Sequence, residues 1–208
     1  MTRDELNEAL GWTVSRETFE RLEKYHDLLI EWSKTHNLIG PKEVPYLWDR
    51  HILDCLQIWP HVKQAKTVLD IGSGAGLPGI VLACCAAEIR GMHVILVESN
   101  GKRCAFLRHV SRRLGLPVEI CHERVEDVSR ETVDVVTARA VADLSDLMKY
   151  SQKWLLKGTR AVFPKGRTWS DELTDAHQYW NFKMQIFPSK SASDGVILSL
   201  SEVTANHA

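Results

Sequence analysis

The chain has 208 residues, 44% of them hydrophobic and 25% charged, with a formal net charge of −1. Such a length holds one well-buried domain with an appendage, and the composition is that of a globular protein rather than a disordered or fibrous one. A near-neutral balance says nothing in favour of nucleic-acid binding, and no apolar run approaches the ~20 residues of a membrane helix.

The opening "MTRDELNEALGW" lacks the apolar centre of a secretory signal, so a cytoplasmic location is expected. Thr2-x-x-Glu5 has the pattern of a capping box. From Ser15, Phe19, Leu22, His26, Leu29 and Ile30 recur at helical spacing until Asn37 and Gly40-Pro41 stop the helix. Pro45 is expected to open a further helix, "PYLWDRHILDCLQIW", that Pro60 closes. Residues 1–60 thus read as an N-terminal helical cap and 61–208 as the main domain.

From Thr67 the pattern alternates. Strands are predicted at 67–71, 93–98, 118–122, 133–138 and 160–163, with helices near 78–89, 101–115, 142–156 and 169–178. That rhythm implies a parallel sheet covered on both faces. "FKMQIF" and "GVILSLSEV" are separated only by "PSKSASD", too short for a crossover helix, so they pair antiparallel. The outline is an α/β, Rossmann-like class I S-adenosylmethionine-dependent methyltransferase: a mostly parallel seven-stranded sheet ending in an antiparallel hairpin.

The first strand runs into "DIGSGAGLPG", a loop shaped to hold a ligand against bare backbone. Gly74-x-Gly76-x-x-Gly79 fits a dinucleotide fingerprint, which alone is a weak signal. Pro78 is expected as the first helical residue, leaving Asp70, Gly72, Gly74 and Gly76 as the ligand loop. A carboxylate before the glycines suits the cationic methionine end of S-adenosylmethionine and disfavours a pyrophosphate. No Gly-Lys-Ser/Thr follows, which excludes a nucleoside-triphosphate loop. Glu98, ending the second strand, can accept both ribose hydroxyls, a feature shared with nicotinamide sites. In "ERVEDV", Glu126 can take the adenine amino group and the Val125 backbone can meet the ring.

Charge is uneven. Between Ser99 and Val118 there is no acid, whereas Lys102, Arg103, Arg108, His109, Arg112 and Arg113 all occur. A solvated helix face is the plain reading; a phosphate-facing stripe is the functional one. Lys165, after the fifth strand, joins it as a candidate on the substrate side. Five cysteines, an odd number with no C-x-x-C spacing, predict reduced, mostly buried thiols and no metal.

"HNLIG", "RHILDCL", "DIGSGAGLPGIVLA", "ESNGKRCAFLR", "RVED" and "TARAVADL" resemble, in that order, the glucose-inhibited division protein B (RsmG) family of ribosomal RNA methyltransferases, over about residues 25–166. The resemblance implies S-adenosylmethionine as cofactor and guanine N7 in 16S ribosomal RNA as acceptor. The partner would be that RNA or a 30S assembly intermediate, met by a monomer with no membrane attachment. By carry-over, Gly72, Leu77, Val125, Glu126 and Arg139 contact the cofactor. Arg139 has a plainer reading as a salt-bridged arginine beside the sheet. N7 carries a free lone pair, so no catalytic base is expected, and no Asn/Asp-Pro-Pro-Tyr/Phe follows the fourth strand. The competing readings are a small-molecule methyltransferase, a nicotinamide oxidoreductase and a non-catalytic RNA-binding module.

Overall fold

In a computed structural model of the chain, residues 1–206 are described. α1 (Arg3–Leu10) starts on the expected capping box: Thr2 Oγ1 accepts from the Glu5 amide at 3.2 Å, and Glu5 Oε2 accepts from the Thr2 amide at 2.7 Å. α2 (Arg16–His36) begins at Ser15, whose hydroxyl accepts from the Thr18 amide, and ends on Asn37 in the left-handed region (φ 48°). Its buried stripe is Thr18, Leu22, Tyr25 and Leu29. Phe19 and His26, expected inside, are half-buried and stack on Trp48, each 5.5 Å between ring centroids.

The next stretch departs from expectation. Instead of one α-helix closed by Pro60, the chain forms a 3-10 turn (Val44–Tyr46), a π-helical turn (Leu47–Ile52), α3 (Leu53–Leu56) and α4 (Trp59–Val62). Pro60 lies in the first turn of α4, where a missing amide proton leaves no bond unmade.

Seven strands follow: β1 (Thr67–Ile71), β2 (His93–Val97), β3 (Val118–Cys121), β4 (Val135–Thr137), β5 (Arg160–Lys165), β6 (Trp180–Pro188) and β7 (Val196–Ala205). Between them run α5 (Gly79–Ala86), α6 (Gly101–Leu114), α7 (Leu144–Leu155) and α8 (Trp169–Ala176). The sheet order is β3-β2-β1-β4-β5-β7-β6. β1 pairs in parallel with β2 and β4, while β7 pairs antiparallel with β5 and β6. The expected outline is therefore present, terminal hairpin included. Strands such as "VILV" are apolar on both sides because helices cover both faces.

Two cores flank the sheet. Val68, Val94, Leu96, Val135 and Val162 pack with α5, α6 and the N-terminal helices, sharing one cluster with Leu6, Leu22, Tyr25 and Leu29. Leu69, Ile71, Ile95, Val136 and Phe163 pack with Leu147, Trp154 and Leu173 of α7 and α8. The Tyr25 hydroxyl crosses from the helical layer to donate to the Ala75 carbonyl of the glycine loop at 2.8 Å. Cys55, Cys84, Cys85 and Cys104 are buried free thiols and Cys121 is half-buried. Among the described residues no helix is long and apolar enough to cross a membrane.

Strand order reverses between β1 and β4. In open α/β sheets the crevice beyond the carboxyl ends of the strands at such a point is where ligands lodge, and the glycine loop lies there.

Candidate cofactor and acceptor cavities

The loop after β1 turns through three left-handed glycines, Gly72 (φ 64°), Gly74 (φ 57°) and Gly76 (φ 96°). Side chains resist that conformation. At Gly72 a Cβ would also stand 2.8 Å from Val141 Cγ2, filling the gap between the loop and the chain that leaves β4. Pro78, expected as the first helical residue, caps α5 from just outside, and the helix starts at Gly79.

A cavity of about 390 Å³ opens beside Gly72, walled by Glu98, Val125, Glu126, Arg103 and Tyr150 among others. Its size lies within the ~300–1,000 Å³ range of small-molecule sites. Glu98, only 5% exposed, is held rigidly: Oε2 accepts from the Gly74 amide at 2.9 Å and Oε1 from the Asn100 amide at 2.7 Å. Each carboxylate oxygen retains a lone pair, the pairing a ribose diol needs. Asn100 also caps α6, accepting from the amides of Lys102 and Arg103.

Asp70 corrects the expectation of direct ligand contact. It is 0% exposed and absent from the cavity wall, lying under the loop with Oδ2 accepting from the Gly79 amide at 3.0 Å. Its Oδ1 has no hydrogen-bond partner. Burial pushes its pKa up from 3.8 to about 7, against the Ser73 and Gly79 hydrogen bonds and the Arg139 charge. The folded protein therefore holds a proton that the unfolded chain releases between those two values, so this contribution to stability declines as pH rises through the window. At about 1.4 kcal/mol per pH unit the total is on the order of 4 kcal/mol. Asp70→Asn should flatten the dependence of the denaturation midpoint on pH across that window; a variant with the wild-type slope would contradict this.

Gly74, Gly76 and Leu77 also support rather than line the cavity. A Cβ on Gly76 would meet Ile80 Cγ1 at 2.4 Å, and the Leu77 side chain lies in the core beside α5. The structure thus brings Gly72, Glu98, Val125, Glu126 and Arg103 together and holds Asp70, Gly74, Gly76 and Leu77 behind them. Arg103, expected with the basic stripe, instead reaches the cavity, with Nη1 at 3.8 Å from Glu98 Oε2.

Arg139 is elsewhere. Its guanidinium faces a second cavity of about 700 Å³ on the other side of the chain leaving β4. Nη2 lies 2.6 Å from His51 Nδ1, and Nη1 is 3.3 Å from Asp54 Oδ2. The plainer reading, an arginine salt-bridged beside the sheet, describes this placement, and the partner is the N-terminal helical segment. Ala140, left-handed at φ 54°, borders both cavities.

Lys165 is a second correction. Its side chain is 8% exposed and its ammonium is matched by Glu172 at 2.5 Å and by the Ala142 carbonyl at 3.1 Å. A neutralised, buried ammonium cannot serve as a phosphate contact; it braces the chain between the cavities. Lys102, Arg108 and Arg112 are exposed along α6, as expected.

Sequence reasoning missed Val141, Tyr150 and Lys153. Lys153 Nζ donates to the carbonyls of Val125 (3.0 Å), Glu126 (3.3 Å) and Val128 (2.7 Å), closing the turn that walls the smaller cavity. Lys153→Met keeps the stem and removes the donors. We expect about a tenfold loss in affinity for the cavity's ligand from a residue that never touches it, at about 1.4 kcal/mol; calorimetry would register it. Among the described residues no group of His, Cys, Asp and Glu is arranged to hold a metal ion.

The wall fits an adenosyl group. A buried carboxylate is placed for a ribose and the loop offers bare backbone, with Asp70 buried beneath the glycines as their support.

Residues 18–194 match the family model described as rRNA small subunit methyltransferase G. The chain is 46% identical over 190 residues to ribosomal RNA small subunit methyltransferase G of Hyphomonas neptunium, covering 91% of this chain and 90% of that one. It is 45% identical over 196 residues to the protein of the same name from Paramagnetospirillum magneticum, covering 94% of both. Among solved structures it resembles cofactor-bound Rv0187 from MTB (TM-score 0.57, 18% identity, 87% and 89% of the two chains covered). It also resembles an O-methyltransferase from Bacillus cereus in complex with SAH (TM-score 0.54, 16% identity, 86% and 91% covered). At those identities the structural likeness concerns the fold.

Proposed function

We infer the reaction from one premise: this chain belongs to the rRNA small subunit methyltransferase G family. It is an S-adenosylmethionine-dependent methyltransferase acting on ribosomal RNA of the small subunit. The finer reading is that the acceptor is guanine N7, that the smaller cavity holds the adenosyl and methionine parts of the cofactor, and that the larger one admits the base. The N7 acceptor is what the family resemblance implies; the observation that carries the division of the site is the pair of cavities meeting at Ala140, one walled by a rigid ribose-matched carboxylate and the other open toward Arg139.

When bound, the cofactor supplies an electrophilic methyl on a sulfonium. Glu98 would accept from the ribose hydroxyls, Gly72 would admit the ligand against backbone, and the turn at Val125–Asp127 would meet the adenine, with Glu126 facing its amino group. Asp70 would hold the loop's shape through Gly79. Guanine N7 loses no proton on attack, so the protein's task is alignment, which can supply about 7–11 kcal/mol of the barrier. The acids bordering the larger cavity support that division of labour. Asp54 is engaged by Arg139 and Ser191, and Glu172 by Lys165, the Leu144 amide and Thr168, while Asp194, the third acid on that wall, is exposed with Arg167 Nε 3.8 Å away.

Lys102, Arg108 and Arg112 would follow RNA phosphates, with Arg103 at the rim of the cofactor cavity. Reversing Lys102, Arg108 and Arg112 to Glu should weaken RNA binding and lower the slope of log affinity against log salt by about 0.7 per lost contact. An unchanged slope would remove α6 from the RNA surface.

The deciding assay supplies labelled S-adenosylmethionine with 16S RNA, and separately with 30S particles, from cells lacking the enzyme. Chemical cleavage at N7-methylguanine then maps the product. One labelled guanine is expected; label at another atom, or on small molecules alone, would overturn the finer reading.

A further inference from the structure

Two irregular pieces of backbone meet at one side chain. The π-helical turn Leu47–Ile52 carries His51, a rare geometry frequent at functional sites. Ala140, in a conformation that side chains rarely adopt, follows Arg139. Arg139 spans the gap: Nη2 to His51 Nδ1 at 2.6 Å, and Nη1 to Asp54 Oδ2 at 3.3 Å and to the Arg50 carbonyl at 3.4 Å.

The chemistry of that contact is one-directional. A guanidinium has donors only and keeps its proton, so His51 Nδ1 must be the acceptor and the imidazole is neutral. The ring proton then sits on Nε2, which points at Glu43 Oε2 3.1 Å away. One tautomer satisfies both partners.

Beyond Arg139 the chain is held twice more. Val141 packs against Gly72, and the Ala142 carbonyl accepts from Lys165 Nζ at 3.1 Å. Residues 139–142 therefore form a partition between the two cavities, pinned at one end by the N-terminal helical segment. We propose that His51 is a positioning residue: its Nδ1 lone pair fixes Arg139, and through Arg139 the partition against which methyl donor and acceptor base are aligned. This rests on the reading that the smaller cavity holds the donor and the larger the base.

Two conservative substitutions separate the two nitrogens. In His51→Asn the side-chain oxygen stands near the place of Nδ1 and can accept from Arg139, while nothing reaches Glu43. In His51→Gln the amide nitrogen stands near Nε2 and can donate to Glu43, while Arg139 loses its acceptor. We expect H51Q to lower kcat for methyl transfer to small-subunit RNA about tenfold or more, with the KM for S-adenosylmethionine changed much less. H51N should recover most of kcat. A purely structural histidine would give the two variants equal losses, and a role exerted through Glu43 would reverse their order; either result overturns the proposal.

A second readout needs no turnover. Trypsin cleaves after an accessible arginine, and Arg139 is shielded while its guanidinium is engaged. Cleavage after Arg139 should be fast in H51Q and slow in both H51N and the wild type, at matched unfolding midpoints. Equal cleavage in all three would overturn the positioning role even if methylation is normal. An inactive wild type with the expected cleavage pattern would instead count against the methyl-transfer reading.

Discussion

Glu98→Ala lowers affinity for S-adenosylmethionine about a hundredfold, the equivalent of roughly 2.7 kcal/mol. Two losses combine. The ribose hydroxyls lose a charged acceptor, and charge-assisted hydrogen bonds contribute ~1.5–3 kcal/mol. In addition, the Gly74 and Asn100 amides lose the carboxylate that fixes them, so the glycine loop and the start of α6 slacken together. Glu98→Gln preserves size but presents an NH2 to one of two backbone donors, and should lie between. Calorimetric titration of the purified variants measures the effect. Wild-type affinity in Glu98→Ala would place the ribose elsewhere and remove the cavity from the cofactor assignment.

Gly79→Ala produces the largest loss of stability, about 3–5 kcal/mol. A Cβ there would stand 2.2 Å from Leu96 Cδ2, 2.5 Å from Asp70 Oδ2 and 3.1 Å from Asp70 Cβ. Leu96 and Asp70 belong to neighbouring central strands, β2 and β1, and cannot both withdraw. Overpacking of this kind costs ~1–3 kcal/mol, and displacing Asp70 from the Gly79 amide leaves a buried carboxyl without the one hydrogen bond it makes to that amide, at ~1–3 kcal/mol more. In a chain of this length each kcal/mol moves the melting temperature by about 2–4 °C, so a fall of about 6–20 °C is expected. Gly40→Ala, whose Cβ would meet nothing within 4 Å, is the control and should melt like the wild type.

The scaffold was legible in the sequence because local rules determine it. Alternating apolar strands and helices give a covered parallel sheet, and a short polar link between two strands permits only antiparallel pairing. Glu98, Gly72 and Val125 come to one cavity wall for a related reason, since each follows the carboxyl end of a parallel strand. The misplaced and missed residues share another property. Lys165 is paired with Glu172 and bound to the Ala142 carbonyl, Arg139 is paired with Asp54 and bound to the His51 ring, and Lys153 donates to three carbonyls. A side chain's charge is visible in a sequence; the acceptors that engage it are tertiary contacts with no local periodicity. Asp70 misled in a related way. Its position beside the glycines is that of a ligand, but the loop folds back over it so that the carboxylate faces Gly79. The irregular turns at 44–56 escaped because the apolar spacing there is helical, whereas the choice between 3-10, π and α turns depends on packing against α5 and α2.

The helices that open the chain share a single apolar interior with the first face of the sheet, and Tyr25 reaches from them to the carbonyl of Ala75. A genetic screen for strains lacking the ribosomal methyl mark would for that reason recover lesions at Leu6, Leu22 and Leu29 alongside those in the glycine loop. Alleles far from any ligand would score as complete nulls, and excising the first sixty residues to obtain a smaller enzyme would yield insoluble polypeptide.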